Sequence, residues 1–263
     1  MPEIVIPSEL SRIIAALFLV LVAALISRWQ HLDLEKQMLV AVARAFVQLT
    51  LIGYALTFIF EADNPASILL IIGVMTAIAS YTSGKRGRGT PHATKVAALS
   101  ITFGAAATLG LLVGLGVFDF TAQQIIPIAG MVIGNSMNVC SLVMRRVKEE
   151  ILGRKLEIET ALALGATRQQ AARPYRKIAL HSGMIPIVDS TKTVGLIQLP
   201  GAMTGMILAG ASPMEAVQLQ IIVMYMLIGA AALTGLAASG ISYRQFFTAN
   251  HQLLETAEMS ASG

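Results

Sequence analysis

Several stretches of this 263-residue chain stay apolar for about 20 residues, the length a helix needs to cross the hydrocarbon core of a bilayer. Only helices and closed β-barrels satisfy every backbone donor and acceptor in lipid. Barrel strands alternate apolar and polar residues over about ten positions, and no such alternation is present. Charged residues make up 13% of the chain, against roughly 25% in soluble domains. The sequence therefore predicts an all-α, polytopic membrane protein with about seven transmembrane helices packed as a bundle.

The spans are placed at residues 10–26, 38–60, 66–81, 96–118, 125–144, 185–209 and 216–239. The third is short and rich in Ala and Ser. The opening MPEIVIPSEL lacks the basic segment of a signal peptide, so the first apolar run is expected to stay as a helix. Lys and Arg mark cytoplasmic loops. Arg28 and Lys36 lie in the first loop, Lys85, Arg86, Arg88 and Lys95 in the third, and Arg244 follows the last span. The fifth loop holds Arg145, Arg146, Lys148, Arg154, Lys155, Arg168, Arg173, Arg176 and Lys177. Loops two, four and six offer Glu61, Asp63, Asp119 and Glu215 but no Lys or Arg. This alternation predicts a multi-pass protein of the inner (plasma) membrane, with its N-terminus outside and its C-terminus in the cytoplasm. It also accounts for the net charge of +4 as topological, so no nucleic-acid partner is expected.

Residues 1–263 read as one transmembrane domain with a cytoplasmic segment at 145–183, too short for a core of its own. Within that segment a helix carrying Glu157, Glu159, Ala161 and Leu162 should stop at Gly165, and Thr167 should cap a second, basic helix.

Polar groups inside the spans stand out, because lipid makes them costly. Arg44 and Gln48 share one face of the second span, and Asn135, Ser136 and Asn138 follow Gly134 in the fifth. Asp189 and Lys192, three apart, open the sixth, which Pro200-Gly201 interrupts. These groups line a translocation path or make internal hydrogen bonds and an ion pair; broken helices often flank transport sites. Gly110/Gly114, Gly130/Gly134 and Gly201/Gly205 have the spacing that lets helices approach closely. The lone Cys140 excludes disulfides within the chain and reads as apolar packing. The thirteen methionines are soft donors that would suit Cu(I), but they also serve as ordinary filler, the favoured reading. His31, His92, His181 and His251 form no ligand cluster. There is no phosphate-binding G-x-x-x-x-G-K-[ST] loop, so active transport would need ATP and Mg bound on another subunit, this chain binding no cofactor itself.

The run Glu159-Thr160-Ala161-Leu162-Ala163-Leu164-Gly165-Ala166-Thr167 resembles the E-A-A-x-x-x-G coupling loop of ABC-transporter permeases, departing from it at Thr160. With RAFVQLTLIGYAL (44–56), IPIAGMVIGNSMN (126–138), LGATRQQAARP (164–174) and VDSTKTVGLIQLPGAMTGMILAG (188–210), the chain resembles the FetB-type permease family, which includes a bacterial iron-export permease and plant relatives tied to aluminium tolerance. The resemblance implies an ABC permease-type bundle, a second copy of the permease, and a cytoplasmic ATPase engaged through Glu159, Ala161, Leu162, Gly165 and Thr167. It implies ATP-driven efflux, with iron the first candidate cargo and a nucleotide-sugar or other anionic solute the rival. Composition and spacing show neither, since Asp189 is the lone acid inside the spans and a hard metal site wants clustered carboxylates. A membrane-embedded enzyme would need two acids, or a nucleophile with its base, on facing helices. The single acid disfavours it, and the coupling loop disfavours a receptor or scaffold.

Overall fold

The computed structural model describes residues 9–62, 64–248, 250 and 252–254. The chain packs as two units, divided after Ala62. In the first, α1 (Glu9–Trp29) and α2 (Glu35–Ala62) form a helical hairpin. Its turn is fixed by Ser27, whose hydroxyl donates to Glu35 Oε2 at 3.2 Å and accepts from the Leu34 amide at 3.1 Å. His31 and Asp33 both adopt φ 53° there.

The second unit contains α3 (Pro65–Arg86), α4 (Ala93–Gly114), α5 (Ala122–Gly153), α6 (Lys155–Ala163), α7 (Arg168–Thr193), α8 (Gly201–Leu208) and α9 (Pro213–Ser242), then a 3₁₀ turn at Tyr243–Phe246. No β-strand forms among the described residues, which hold only two isolated bridges. The helix starts follow local chemistry. Asn64 accepts from the Ala66 amide at 2.9 Å and Pro65 takes the first helical position of α3, where a missing N–H costs nothing. Ser212 and Glu215 make a reciprocal capping box on α9.

Membrane helices associate mainly by close packing, because lipid is as apolar as a leucine. The close approaches here fall at Gly84 against Thr94, Gly104 against Thr234, Gly183 against Val143, and Gly235 against Leu180. At each, an added β-carbon would collide with the neighbouring helix. Gly235 is the point where α5, α7 and α9 meet, with Val139, Leu180 and Met184 around it. This corrects the expectation drawn from glycine spacing. Gly110, Gly114, Gly134, Gly201 and Gly205 have no neighbour within 4 Å of the β-carbon position, and Gly130 meets only Met75 Cε at 3.2 Å. Spacing reports that a face is bare, not that anything packs on it. Buried hydroxyls add two ties, Thr234 to Ser136 at 3.0 Å and Ser141 to Ser83 at 3.0 Å. Cys140 is free and wholly buried, in keeping with its reading as packing.

Among the described residues, five helices are long and apolar enough to cross a membrane: Glu35–Ile59, Pro65–Arg86, Ala93–Gly114, Ala122–Gly153 and Pro213–Phe246. The first expected span contributes a shorter apolar helix, Ala15–Trp29. The third is longer than its composition suggested, since Lys85 and Arg86 complete its last turn.

The sixth span departs most from expectation. Instead of a helix opening at Ile185 and running to Ala209, α7 begins at Arg168, continues to Thr193, and is followed by non-helical residues 194–200 before α8. Asp189 and Lys192 thus close a helix rather than open one. Basic residues in the first half of α7 lower its hydropathy and hide its continuity. Its interruption comes where Gly195 takes φ +80° and where Pro200 holds the preceding residue out of helical conformation.

Candidate functional site

Two places in the second unit gather the residues singled out from the sequence: the α6–α7 elbow and a polar layer where α5 faces α7. The elbow lies at the end of the bundle that carries the basic loops, since Lys148 of α5 donates to the Arg88 carbonyl in the α3–α4 loop at 3.2 Å.

At the elbow, Gly165 adopts φ +89°. The Gly165 amide donates to Leu162 O at 2.9 Å and the Ala166 amide to Ala161 O at 3.0 Å, the paired bonds of a glycine-closed helix end. Thr167 then caps α7 through a reciprocal box with Gln170, as its place in the sequence suggested. The elbow is braced by a clamp that the sequence did not reveal. Glu157 accepts from Arg154 at 2.8 Å and from the Tyr175 hydroxyl at 2.8 Å, joining α6 to α7. The Arg154 bond, then the Tyr175 bond, hold the Glu157 carboxyl below its usual range, and the carboxylate acceptor pushes the Tyr175 phenol up. A depressed carboxylate contributes stability above its unfolded pKa and loses it as pH falls through the folded value. The clamp is therefore set at neutral pH and released in acid.

Ile158 is fully buried, while Ala161 and Leu162 are half-buried. Leu162 borders a cavity of about 380 Å³ shared with Gln252 and Leu253 of the C-terminal stretch. The exposed stripe of α6 consists of Leu156, Thr160, Ala163 and Leu164, at helical spacing, with Leu156 78% and Leu164 84% exposed. Glu159 stands beside it, paired with Lys155 at 3.6 Å. The outward face is thus centred on Leu156 and Leu164 rather than on the expected Ala161 and Leu162.

In the polar layer, Asn135, Asn138 and Ser190 border one cavity of about 250 Å³ together with Gly183 and Pro186. Asn135 donates to the Leu227 carbonyl at 2.9 Å, and Asn138 accepts from Arg86 at 2.9 Å, tying α5 to α9 and α3. Asn135 lies ten residues before the first basic residue of α5, Arg145, hence about 15 Å along the helix from it. Asp189 and Lys192 form an ion pair at 3.1 Å on the same end of α7, with side chains 59% and 69% exposed. The break after them is tied back by Gln198, whose amide donates to Ser190 at 3.3 Å. Its Leu196 and Ile197 are 87% and 82% exposed. Pro200 and Gly201 form the cap and first residue of α8. Arg44 and Gln48 share an exposed face of α2, in the other packing unit. Among the described residues no three of His, Cys, Asp and Glu come together as a metal site.

Long apolar helices, close glycine contacts and few polar groups within those helices define an all-α, multi-pass membrane protein. The chain belongs to the family described as Uncharacterised protein family (UPF0014), which matches residues 10–247. It is 48% identical over 239 residues to Protein ALUMINUM SENSITIVE 3 of Arabidopsis thaliana, covering 91% of this chain and 88% of the relative. It is 46% identical to UPF0014 membrane protein STAR2 of Oryza sativa subsp. japonica, covering 91% and 84%. It is 39% identical to the Probable iron export permease protein FetB of Escherichia coli (strain K12), covering 92% and 93%. No solved structure matches the chain.

Proposed function

We propose that this chain is the permease subunit of an ATP-driven exporter, working as a pair with a second copy and driven by a separate cytoplasmic ATPase. The observation that carries the reading is the elbow. A short helix closed at Gly165, braced through Glu157 and presenting Leu156, Thr160, Ala163 and Leu164 outward, is suited to seating in a groove on another protein. Rigid attachment to α7 matters, because α7 continues from the elbow to Asp189 and Lys192. A push on α6 would therefore reach the polar layer along one helix, α7.

The second copy would cover what a single chain leaves open. Irregular backbone at bilayer depth is tolerated only when buried in protein or lining a cavity, and residues 194–200 carry two strongly exposed apolar side chains. Iron is the cargo suggested by the name of the bacterial relative. With no three-ligand cluster in one chain among the described residues, an iron path would draw Asp189 and the asparagine amides from both copies. An anionic organic cargo is the second reading, favoured by Lys192 beside the path and by Arg44.

The test is ATP hydrolysis by the chain co-purified with a candidate ATPase, across metal ions and nucleotide-sugars. Stimulation by ferrous or ferric iron supports the first cargo, and stimulation by a nucleotide-sugar supports the second. Failure of every candidate ATPase to co-purify or be stimulated would overturn the exporter reading.

A further inference from the structure

The α3–α4 connection borders an open cavity of about 450 Å³ that the transport reading does not use. Tyr81, Lys85, Arg88, Thr90, His92 and Lys95 border it. Residues 64–118 contain no Asp or Glu, and no carboxylate borders the cavity. Ala93 and Thr94, the first residues of the 22-residue α4, also line it. Amides at that end of a helix have no partner within the helix and carry partial positive charge. His92, the residue before α4, takes φ 53° and makes no side-chain cap; its carbonyl takes the Lys95 amide at 2.9 Å, so the Ala93 and Thr94 amides are the ones left without a cap.

A second observation is independent of charge. Thr90 is fully buried, and its hydroxyl has no hydrogen-bond partner. A buried unpaired hydroxyl is costly, and Thr90 is one of the residues that border the basic cavity. Donors from a helix end, a hydroxyl, one guanidinium and two ammonium groups match the acceptor-only oxygens of a phosphate. We propose that this cavity binds a phosphate group, supplied by the headgroup of an anionic phospholipid or by a soluble phosphate ester. The basic end is the cytoplasmic end under the charge rule, and bilayer surfaces there are anionic.

Native mass spectrometry of the full-length chain in neutral detergent, titrated with phosphatidylglycerol, phosphatidylcholine, ATP or inorganic phosphate, tests this. Phosphatidylglycerol or ATP should saturate at one per chain. Arg88→Gln should weaken that binding about ten-fold, the worth of one charge-assisted hydrogen bond. Thr90→Val should weaken it several-fold, and Thr90→Ser should retain it. Arg145→Gln, which removes an equal charge elsewhere on the basic end, should bind as wild type does. Lipid binding that ATP does not displace assigns the lipid source, and displacement assigns the soluble one. Equal losses in Arg88→Gln and Arg145→Gln, or no saturable binding, would overturn the site in favour of a diffuse charge effect. Should Thr90→Val fail to fold, as read by its thermal transition, the two arginine variants still decide the question.

Discussion

Gly165 carries more of the elbow than any side chain near it. Its φ of +89° is one that only glycine takes without a β-carbon penalty, yet nothing lies within 4 Å of its β-carbon position. Gly165→Asp would therefore act through backbone strain, and through a carboxylate set beside the exposed Leu164. We expect normal expression and membrane insertion, but reduced recovery of the partner ATPase and loss of coupled hydrolysis. Pull-down and hydrolysis equal to wild type would show that Gly165 merely ends a surface helix. The clamp below it is a separate device. Tyr175→Phe removes the one bond by which Glu157 ties α6 to α7, leaving Glu157 paired only with Arg154 at the start of its own helix, so coupled hydrolysis at neutral pH should fall to the level that wild type shows once acid has released the clamp. Hydrolysis equal to wild type at neutral pH would mean that the clamp does not set the elbow.

The individual helices are held by a few bare contacts, and the structure distinguishes them from glycines that only look similar. Gly104 lies against Thr234, where α4 meets α9, and that threonine also donates to Ser136 of α5. A methyl group there must displace a helix or break a buried hydroxyl bond. Overpacking of this kind costs about 1–3 kcal/mol. Gly104→Ala should lower the temperature at which the detergent-solubilised chain loses its helical signal by several degrees. Gly110→Ala, six residues along the same helix with open space around it, should leave that temperature unchanged. Equal effects would mean that helix propensity, not the α4–α9 contact, governs both sites.

For the molecule as a whole, the charge pattern makes the sharpest claim. Basic loops alternate with non-basic ones along the chain, and within the second unit the structure brings Arg88 and Lys148 together at one end. A reporter fused after Arg244 should read cytoplasm, and one placed at Asp119 should read outside. A periplasmic signal after Arg244 would mean an even number of crossings and would reverse the proposed placement of the elbow.

Apolar length, loop charge and local caps are properties of contiguous residues, so the sequence alone sufficed for the all-α membrane class, the left-handed Gly165, the Thr167 cap and most helix positions. The departures share a different origin. Which glycines make contact depends on which helix face is turned inward, and a two-residue spacing motif carries no such information. The true extent of α7 was obscured because its basic first half reads as loop by hydropathy, although the helix continues to Thr193 through its interior Pro174 and Pro186. The Glu157–Tyr175 clamp joins residues eighteen apart across a turn, and Asn135 reaches a carbonyl ninety-two residues away. Such partners are chosen by how helices pack, a long-range outcome of many weak contacts that no local pattern encodes.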